Sequence, residues 1–413
     1  MRVDGLMNQV LNTVSAGTMS GAGKRLVYFS SVPYHSYAQR PHFMVTAFAN
    51  AGYSAVLWID PYPTRLPKLS DLKRLRNAKS VVAHSDERIE LHRPAALPVE
   101  PLPLGSLLNQ MLCWRPVRQR LREFAAGGHC VIGIGRPSAL ALWALKNLPH
   151  ERSFADVLDN FPAFYRGVSR LSMKRRLKDV CRTVTDVFCS SNQLALDIQA
   201  VRHDAITVLN GYPTDHLPQP SIMATRKYVG YLGTIGEWFD WPLVCEIARA
   251  LPEIPVRLVG PEFVPRPADL PPNIEFLGER PFNEMADFVR DFAVGLIPFK
   301  RNELTDSVDP IKFYEYRSLG VPVWSTDFGE MRLRDANDGV NKIQRGQDWR
   351  ALWDEARVTV VEPHAIASFK EAVSWAKRFE PVLERAAWPS PAHKGMPVSS
   401  DGAAHVVRKR TSA

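Results

Sequence analysis

The 413-residue sequence has few of the features that mark secreted, membrane-spanning or metal-dependent proteins. Its five cysteines (Cys113, Cys130, Cys181, Cys189, Cys245) are scattered. With no Cys-x-x-Cys and no Cys/His cluster at zinc spacing, they offer no metal site, and reduced, mostly buried thiols are the plain reading. No apolar run approaches the ~20 residues that a bilayer-crossing helix needs. The start, MRVDGLMNQVLNTVSAGTMSGAGK, lacks the continuous apolar stretch of a secretory signal. A cytoplasmic protein is therefore expected. No GxxxxGK[ST] phosphate loop and no G-x-S-x-G nucleophile elbow occurs. Gly133-Ile-Gly135 continues Arg136-Pro137-Ser138, without the third glycine of a dinucleotide fingerprint, and reads as a tight turn.

What is present suits an ordinary globular protein, at 45% hydrophobic and 23% charged residues. The length suits two or three domains. The formal charge of +9 points to nucleic acid, an anionic membrane surface or phosphorylated substrates. No RNA- or DNA-reading module is visible, so nucleic acid is not expected as a partner. The positive charge concentrates in two amphipathic stretches. Leu107–Arg122 (LLNQMLCWRPVRQRLR) mixes apolar and arginine positions. Tyr165–Arg182 carries seven basic residues against Asp179 alone. Such stretches suit either docking to an anionic leaflet or a solvated face over a core helix.

Short apolar runs alternate with helical patterns along the chain. Strands are expected at Arg25–Val32, Ser54–Asp60, Ser80–His84, Ile89–His92, His129–Ile134, Phe154–Leu158, Asp186–Ser190 and Ala205–Leu209, with a helix over Leu107–Ala125. The alternation breaks at Pro213–Thr225 and restarts with strands at Lys227–Leu232, Val256–Val259, Ile274–Leu277, Val294–Pro298 and Val321–Ser325. This is an α/β pattern of two Rossmann-like domains, with parallel sheets covered on both faces. The expected organisation is a loose tail over 1–23, an N-terminal domain over 24–215, a C-terminal domain over 216–388 ending in a long helix at 364–387, and a disordered tail over 389–413.

The richest segment is Val294–Thr326, VGLIPFKRNELTDSVDPIKFYEYRSLGVPVWST. It reads as strand, polar loop, helix, strand, with Asp309 at the N-cap and Pro310 at the first helical position. A helix starting at the carboxyl end of a parallel strand offers unpaired N–H groups and partial positive charge to a phosphate. Lys312 adds a full cation. Glu315, on the same helix face, can accept hydrogen bonds from a diol such as a ribose. Alone, a Lys-x-x-Glu is as well explained by a surface pair. A second loop, YVGYLGTIGEWFD at Tyr228–Asp240, puts Gly233 and Gly236 between a strand and a helix, where backbone N–H groups can approach an anion.

In the first half, Asp159 ends the strand FADVLD and stands either as a general base or acceptor contact, or as a cap of the next turn. Arg40 and His42 bracket Pro41 at another helix start. His42 is a candidate base or acceptor contact and Arg40 a candidate phosphate contact; a solvent-facing pair is the alternative.

These segments resemble the GT-B glycosyltransferases, near family 4 and its teichuronic-acid-type exopolysaccharide branch. The matching pieces are GYLGTIGEWFDWPLV, RLVGP, NIEFLGERPFNEMADFVRDFAVGLIPF and SVDPIKFYEYRSLGVPVWST, with fainter matches at QRPHF, VLDNFPAF and VLNGYPTDHL. The resemblance implies two Rossmann-like domains facing across a cleft, with the last helix closing back toward the first domain. It implies a nucleoside-diphosphate-sugar donor on the C-terminal domain, a glycan or lipid-linked acceptor on the N-terminal domain, and no metal or other cofactor. The implied donor-binding set is Gly233, Thr234, Asn302, Asp309, Lys312 and Glu315. By position, Glu315 holds the donor ribose, Lys312 touches phosphate, and Gly233 and Thr234 meet the diphosphate. The implied function is transfer of a sugar in surface-polysaccharide assembly, in the cytoplasm or at the inner face of the plasma membrane. Two departures stand out. Many members carry a second glutamate eight positions before the one at Glu315, and here that place is Ser307, with Asp306 and Asp309 off register. The basic residue usual after the glycine loop is replaced by Glu237 and Trp238, which leaves Lys300 or Arg301 as electrostatic substitutes. A catalytically inactive binding or regulatory subunit of the same fold is the alternative.

Overall fold

The computed structural model describes residues 23–63, 86–100, 102, 105–215, 217–218, 226–281 and 284–387. The expected strand at Ser80–His84, both expected tails and much of the expected linker lie outside these residues.

The first half runs β1 (Lys24–Phe29), α1 (Arg40–Asn50), β2 (Ala55–Ile59), β3 (Ile89–His92), α2 (Gly105–Leu112), α3 (Arg115–Ala126), β4 (His129–Ile134), α4 (Ala139–Asn147), β5 (Arg152–Val157), α5 (Gly167–Thr183), β6 (Asp186–Cys189), α6 (Asn192–Gln199) and β7 (Ile206–Thr207). The second half runs β8 (Tyr228–Leu232), α7 (Trp241–Ala250), β9 (Val256–Val259), β10 (Ile274–Gly278), α8 (Met285–Arg290), β11 (Phe292–Ile297), α9 (Ile311–Ser318), β12 (Val323–Ser325), β13 (Val340–Lys342), α10 (Trp349–Ala356), α11 (Pro363–Val373) and α12 (Trp375–Ala386).

The strands form two sheets, in the orders β3-β2-β1-β4-β5-β6-β7 and β10-β9-β8-β11-β12-β13. Every ladder between named strands is parallel. In both sheets the chain winds outward from its first strand, returns, and continues on the other side. The switch points are β1/β4 and β8/β11, and the carboxyl edge at a switch point is where α/β sheets bind ligands. The sheets are apolar on both faces, as covered parallel sheets must be. One face of the first sheet packs under Trp114, Leu121, Leu140 and Leu177. The other packs under Met44, Phe48, Trp375 and Phe379. The second sheet has its own core around Trp324, Val256 and Leu296.

The closing segment is broken, not continuous. Ser374 is extended (φ −57°, ψ 144°), and its hydroxyl caps α12 by accepting from Lys377 N at 3.2 Å. α11 stays with the second lobe, where Phe369 lies 5.7 Å from Phe313. α12 crosses to the first, where Trp375 stacks on Phe43 at 5.0 Å. The expected helix at Leu107–Ala125 is likewise two helices, with Cys113 and Trp114 at the break. Pro116 is the second residue of the second helix, in the first turn, where its missing N–H costs nothing.

Candidate functional site

The carboxyl edges of the two sheets hold two recesses that share the gap between the lobes. The first, of about 610 Å³, is lined by Leu232, Gly233 and Thr234 after β8, by Val259, Gly260 and Pro261 after β9, by Glu279 and Arg280 after β10, and by Lys312 and Glu315 of α9. Tyr37 of the first lobe reaches its rim and donates to Glu279 at 3.0 Å.

α9 is placed by its aromatic residues. Phe313, Tyr314 and Tyr316 are buried. The Leu232 amide, at the end of β8, donates to the Tyr316 hydroxyl at 2.9 Å. Gly295 leaves the Tyr316 ring its space, since a Cβ there would overlap the ring. This contact sets the first turn of α9 against the loop after β8. Gly233 has φ +132°, and a Cβ on it would run into the Lys312 side chain. Gly260, at φ +141°, faces the Gly233 backbone so closely that a Cβ would strike its carbonyl. Two glycines side by side let the backbone itself form the floor.

Among the described residues, neither the Lys312 ammonium nor the Glu315 carboxylate has a hydrogen-bonding or ion-pairing partner. Lys312 Nζ lies 5.4 Å from the Tyr231 ring and 5.7 Å from the Phe299 ring. Burial pushes the Lys312 pKa down, against the pull of Glu315. Burial pushes the Glu315 pKa up, against the pull of Lys312. Leaving a cation and an anion desolvated and unpaired is costly, and a ligand bearing phosphate and hydroxyl groups would satisfy both.

The second recess, of about 1,090 Å³, lies at the carboxyl edge of the first sheet. Val32, Arg136 and Asp159 line it from the ends of β1, β4 and β5, and Ile311 lines it from α9. The first turn of α9 thus stands between the recesses, with Ile311 toward one and Lys312 toward the other. Asp159 is half-buried, and desolvation pushes its pKa up to about 7. Its carboxylate caps nothing. The short helix that follows, Phe161–Phe164, is entered from Asn160, and Phe161 N donates to the Asp159 backbone carbonyl at 2.8 Å.

Four sequence expectations are corrected. Asp309 is not the N-cap and does not line the first recess. α9 starts one residue later than expected, with Pro310 at the cap position. The Asp309 carboxylate is buried and accepts from Arg334 at 2.6 Å, Tyr314 at 2.7 Å and the Asn210 amide at 2.8 Å. Asn302 spends its side-chain oxygen on a turn, accepting from Leu304 N at 2.9 Å and Thr305 N at 3.1 Å, away from the recess. His42 is buried with both ring nitrogens engaged: Nδ1 accepts from Gln39 N at 3.2 Å and Nε2 meets Tyr34 O at 2.8 Å. It closes a capping box on α1 and has no nitrogen left for a substrate. Arg40 touches the second recess, but its guanidinium is buried in a two-point contact with Asp156, at 2.8–3.1 Å, and donates to Val208 O at 2.8 Å.

Sequence reasoning missed Tyr37, Glu279 and Arg136. For Glu279 the matching segment NIEFLGE was in view, and its place after a strand was a usable signal. Tyr37 comes from a loop with no local pattern, and Arg136 directly follows the Gly-x-Gly stretch that reads only as a tight turn. Among the described residues, no three His, Cys, Asp or Glu side chains converge as metal ligands.

Two Rossmann-like lobes, carboxyl edges meeting at a cleft and a last helix returning to the first lobe define the GT-B fold. Solved structures of this fold superpose over nearly the whole described chain. Sucrose-phosphate synthase from Thermosynechococcus elongatus matches with a TM-score of 0.60 at 15% identity, covering 87% of this chain and 98% of that one. Anabaena HepE, solved with UDP and glucose, matches with a TM-score of 0.58 at 13% identity, covering 87% and 98%. In sequence, the chain is similar to the Bacillus subtilis (strain 168) protein TuaH, named as a teichuronic acid biosynthesis glycosyltransferase, at 24% identity over 165 residues. That match spans 36% of this chain and 42% of the relative's length. No family model matches.

Proposed function

We propose that this chain is a glycosyltransferase that moves a sugar from a nucleoside diphosphate to a hydroxyl of a glycan or lipid-linked acceptor in surface-polysaccharide assembly. It works without a metal, in the cytoplasm at the inner face of the membrane. One observation carries the reading: Lys312 and Glu315, unpaired and desolvated, stand beside Gly233 and Thr234 at the switch point of the second sheet. There Lys312 and the backbone N–H groups offset the diphosphate charge, and Glu315 accepts from the ribose hydroxyls. Asp159 takes the acceptor proton as the new C–O bond forms. The anomeric carbon–phosphate oxygen bond breaks, and the nucleoside diphosphate leaves. The UDP in the HepE structure and the name of the TuaH relative support this reading.

A non-catalytic binding subunit is the second reading. Ser307, which takes the place of the first family glutamate, is buried at 3% exposure and supplies no carboxylate. Calorimetry with UDP and GDP, then NMR of the products from a nucleotide-sugar panel with excess EDTA, separates the two. Binding with transfer in EDTA is expected. Binding without turnover in EDTA or in added magnesium favours the second reading. Failure to bind either nucleotide rejects both.

A further inference from the structure

We infer that the first lobe carries a docking surface for an anionic lipid bilayer, formed by α2 and the start of α5 at the mouth of the Asp159 recess. The first observation is that α2 is turned inside out. A helix on a soluble surface buries its leucines and exposes its amides. Here Asn109 is fully buried, with Nδ2 donating to Leu97 O at 3.2 Å and Oδ1 accepting from Leu97 N at 2.7 Å. Leu107, Leu108, Met111 and Leu112 point outward, at 50%, 48%, 81% and 70% exposure. The buried amide is paid for by two hydrogen bonds, which hold the helix in this orientation.

The second observation is a matching patch on α5. Val168 is 58% and Leu171 68% exposed, and Phe164 just before the helix is 54% exposed. Topology puts the two patches on one edge. A helix between parallel strands runs antiparallel to them, so its amino end sits at the sheet's carboxyl edge. α2 leads into the amino end of α3, and Phe164 leads into the amino end of α5. Buried Glu100, five residues before α2, ties them together: it pairs with Arg176 of α5, accepts from Tyr62 at 2.7 Å and accepts from the Ala139 amide at 2.8 Å. Phe164 and Tyr165 also line the Asp159 recess.

Charge selects the occupant. Around the α5 patch, Arg166, Lys174 and Arg175 are exposed, and the nearest acid to Arg175 is Asp179 at 3.9 Å. Outward leucines flanked by exposed cations, of which Arg166 and Lys174 form no ion pair among the described residues, suit acyl chains beneath anionic headgroups better than a protein surface, which would supply its own counter-charges at fixed points. The surface would bring a lipid-linked acceptor to Asp159. That role rests on the glycosyltransferase reading; the membrane contact does not.

The test uses the full chain and sedimentation with vesicles of phosphatidylcholine alone or mixed with phosphatidylglycerol. Binding to the mixed vesicles only, weakening as salt rises, is expected. The double variant Met111→Ser/Leu112→Ser and the double variant Lys174→Glu/Arg175→Glu should each lose binding by about tenfold or more. Both should keep the wild-type melting temperature and UDP affinity, because all four side chains are exposed and none lines either recess. Absence of wild-type binding to mixed vesicles at low salt overturns the proposal. So does a Met111→Ser/Leu112→Ser protein that binds as wild type, or a wild-type dimer that this variant dissolves. UDP affinity, read separately, tests the donor site whichever way the vesicles fall.

Discussion

Glu315 and Lys312 are the residues on which the proposed donor site turns, and both were legible as a pair on one helix face. What their spacing did not give was their lack of partners, which depends on the Tyr316 contact to Leu232 and on the glycines at 233 and 260. A carboxylate that accepts from two hydroxyls contributes about 1.5–3 kcal/mol per charged hydrogen bond. Glu315→Ala is therefore expected to weaken nucleoside diphosphate binding by about tenfold or more in calorimetry, with the melting curve unchanged. Asp159 follows a different logic. Its pKa near 7 means that a base role gains with rising pH. Turnover should climb through about pH 7 in the wild type, and Asp159→Asn should lower it about 10²–10⁴-fold while leaving donor affinity intact. The sign for stability is opposite. The fold holds this proton more tightly than the unfolded chain does, so stability falls as pH rises from the ordinary carboxylate range through about 7. Asp159→Asn should remove that fall, as denaturation at pH 5 and pH 8 would reveal. A variant with full activity and an unchanged stability profile would remove Asp159 from both roles.

At the level of elements, the strands were the most readable part, because buried parallel strands are short apolar runs bounded by turns. β8, β9 and β11 lie where the pattern put them. β13 and α10 were missed: Val340–Lys342 is three residues long, whereas α10 carried a readable signal that was passed over, with Trp349, Trp353 and Ala356 at helical spacing on its buried face. The helices were less readable where a polar residue sets a break by tertiary bonding. Ser374 looks helical in sequence yet turns the chain, and Asn109 looks solvent-facing yet is buried. The misplacement of Asp309, His42 and Arg40 has the same origin. Each is a polar residue near a helix start, where capping and ligand binding look alike in sequence, and each proves to be satisfied by protein atoms. The crossing helix α12 gives a stability test. Phe379 is fully buried against the first sheet, and the Arg40 guanidinium lies 5.4 Å from its ring. Phe379→Ala should cost about 3–5 kcal/mol, measured by denaturant unfolding. A loss under 1 kcal/mol would mean that α12 is not part of the first lobe's core.

For the whole molecule, the two-lobe plan was legible because its signal is spread over a dozen alternating segments and survives errors in any one of them. The relation between the lobes, facing across a cleft with the last helix returning, was legible only through the family resemblance and not from any local pattern. It depends on contacts such as Asn210 to Asp309, Asn192 to Glu330 and Tyr37 to Glu279, each joining residues about a hundred or more apart in sequence. The chain passes between lobes twice, after Asn210 and again at Ser374. The two passes touch, with the Tyr212 amide donating to Val373 O at 2.9 Å. Two adjoining threads constrain movement in a way that one does not. The halves can swing about that seam like a book about its spine, but sliding or twisting would have to shear both threads together. A single backbone cut at either thread would leave the covers attached, and the travel available to the opening would survive the cut.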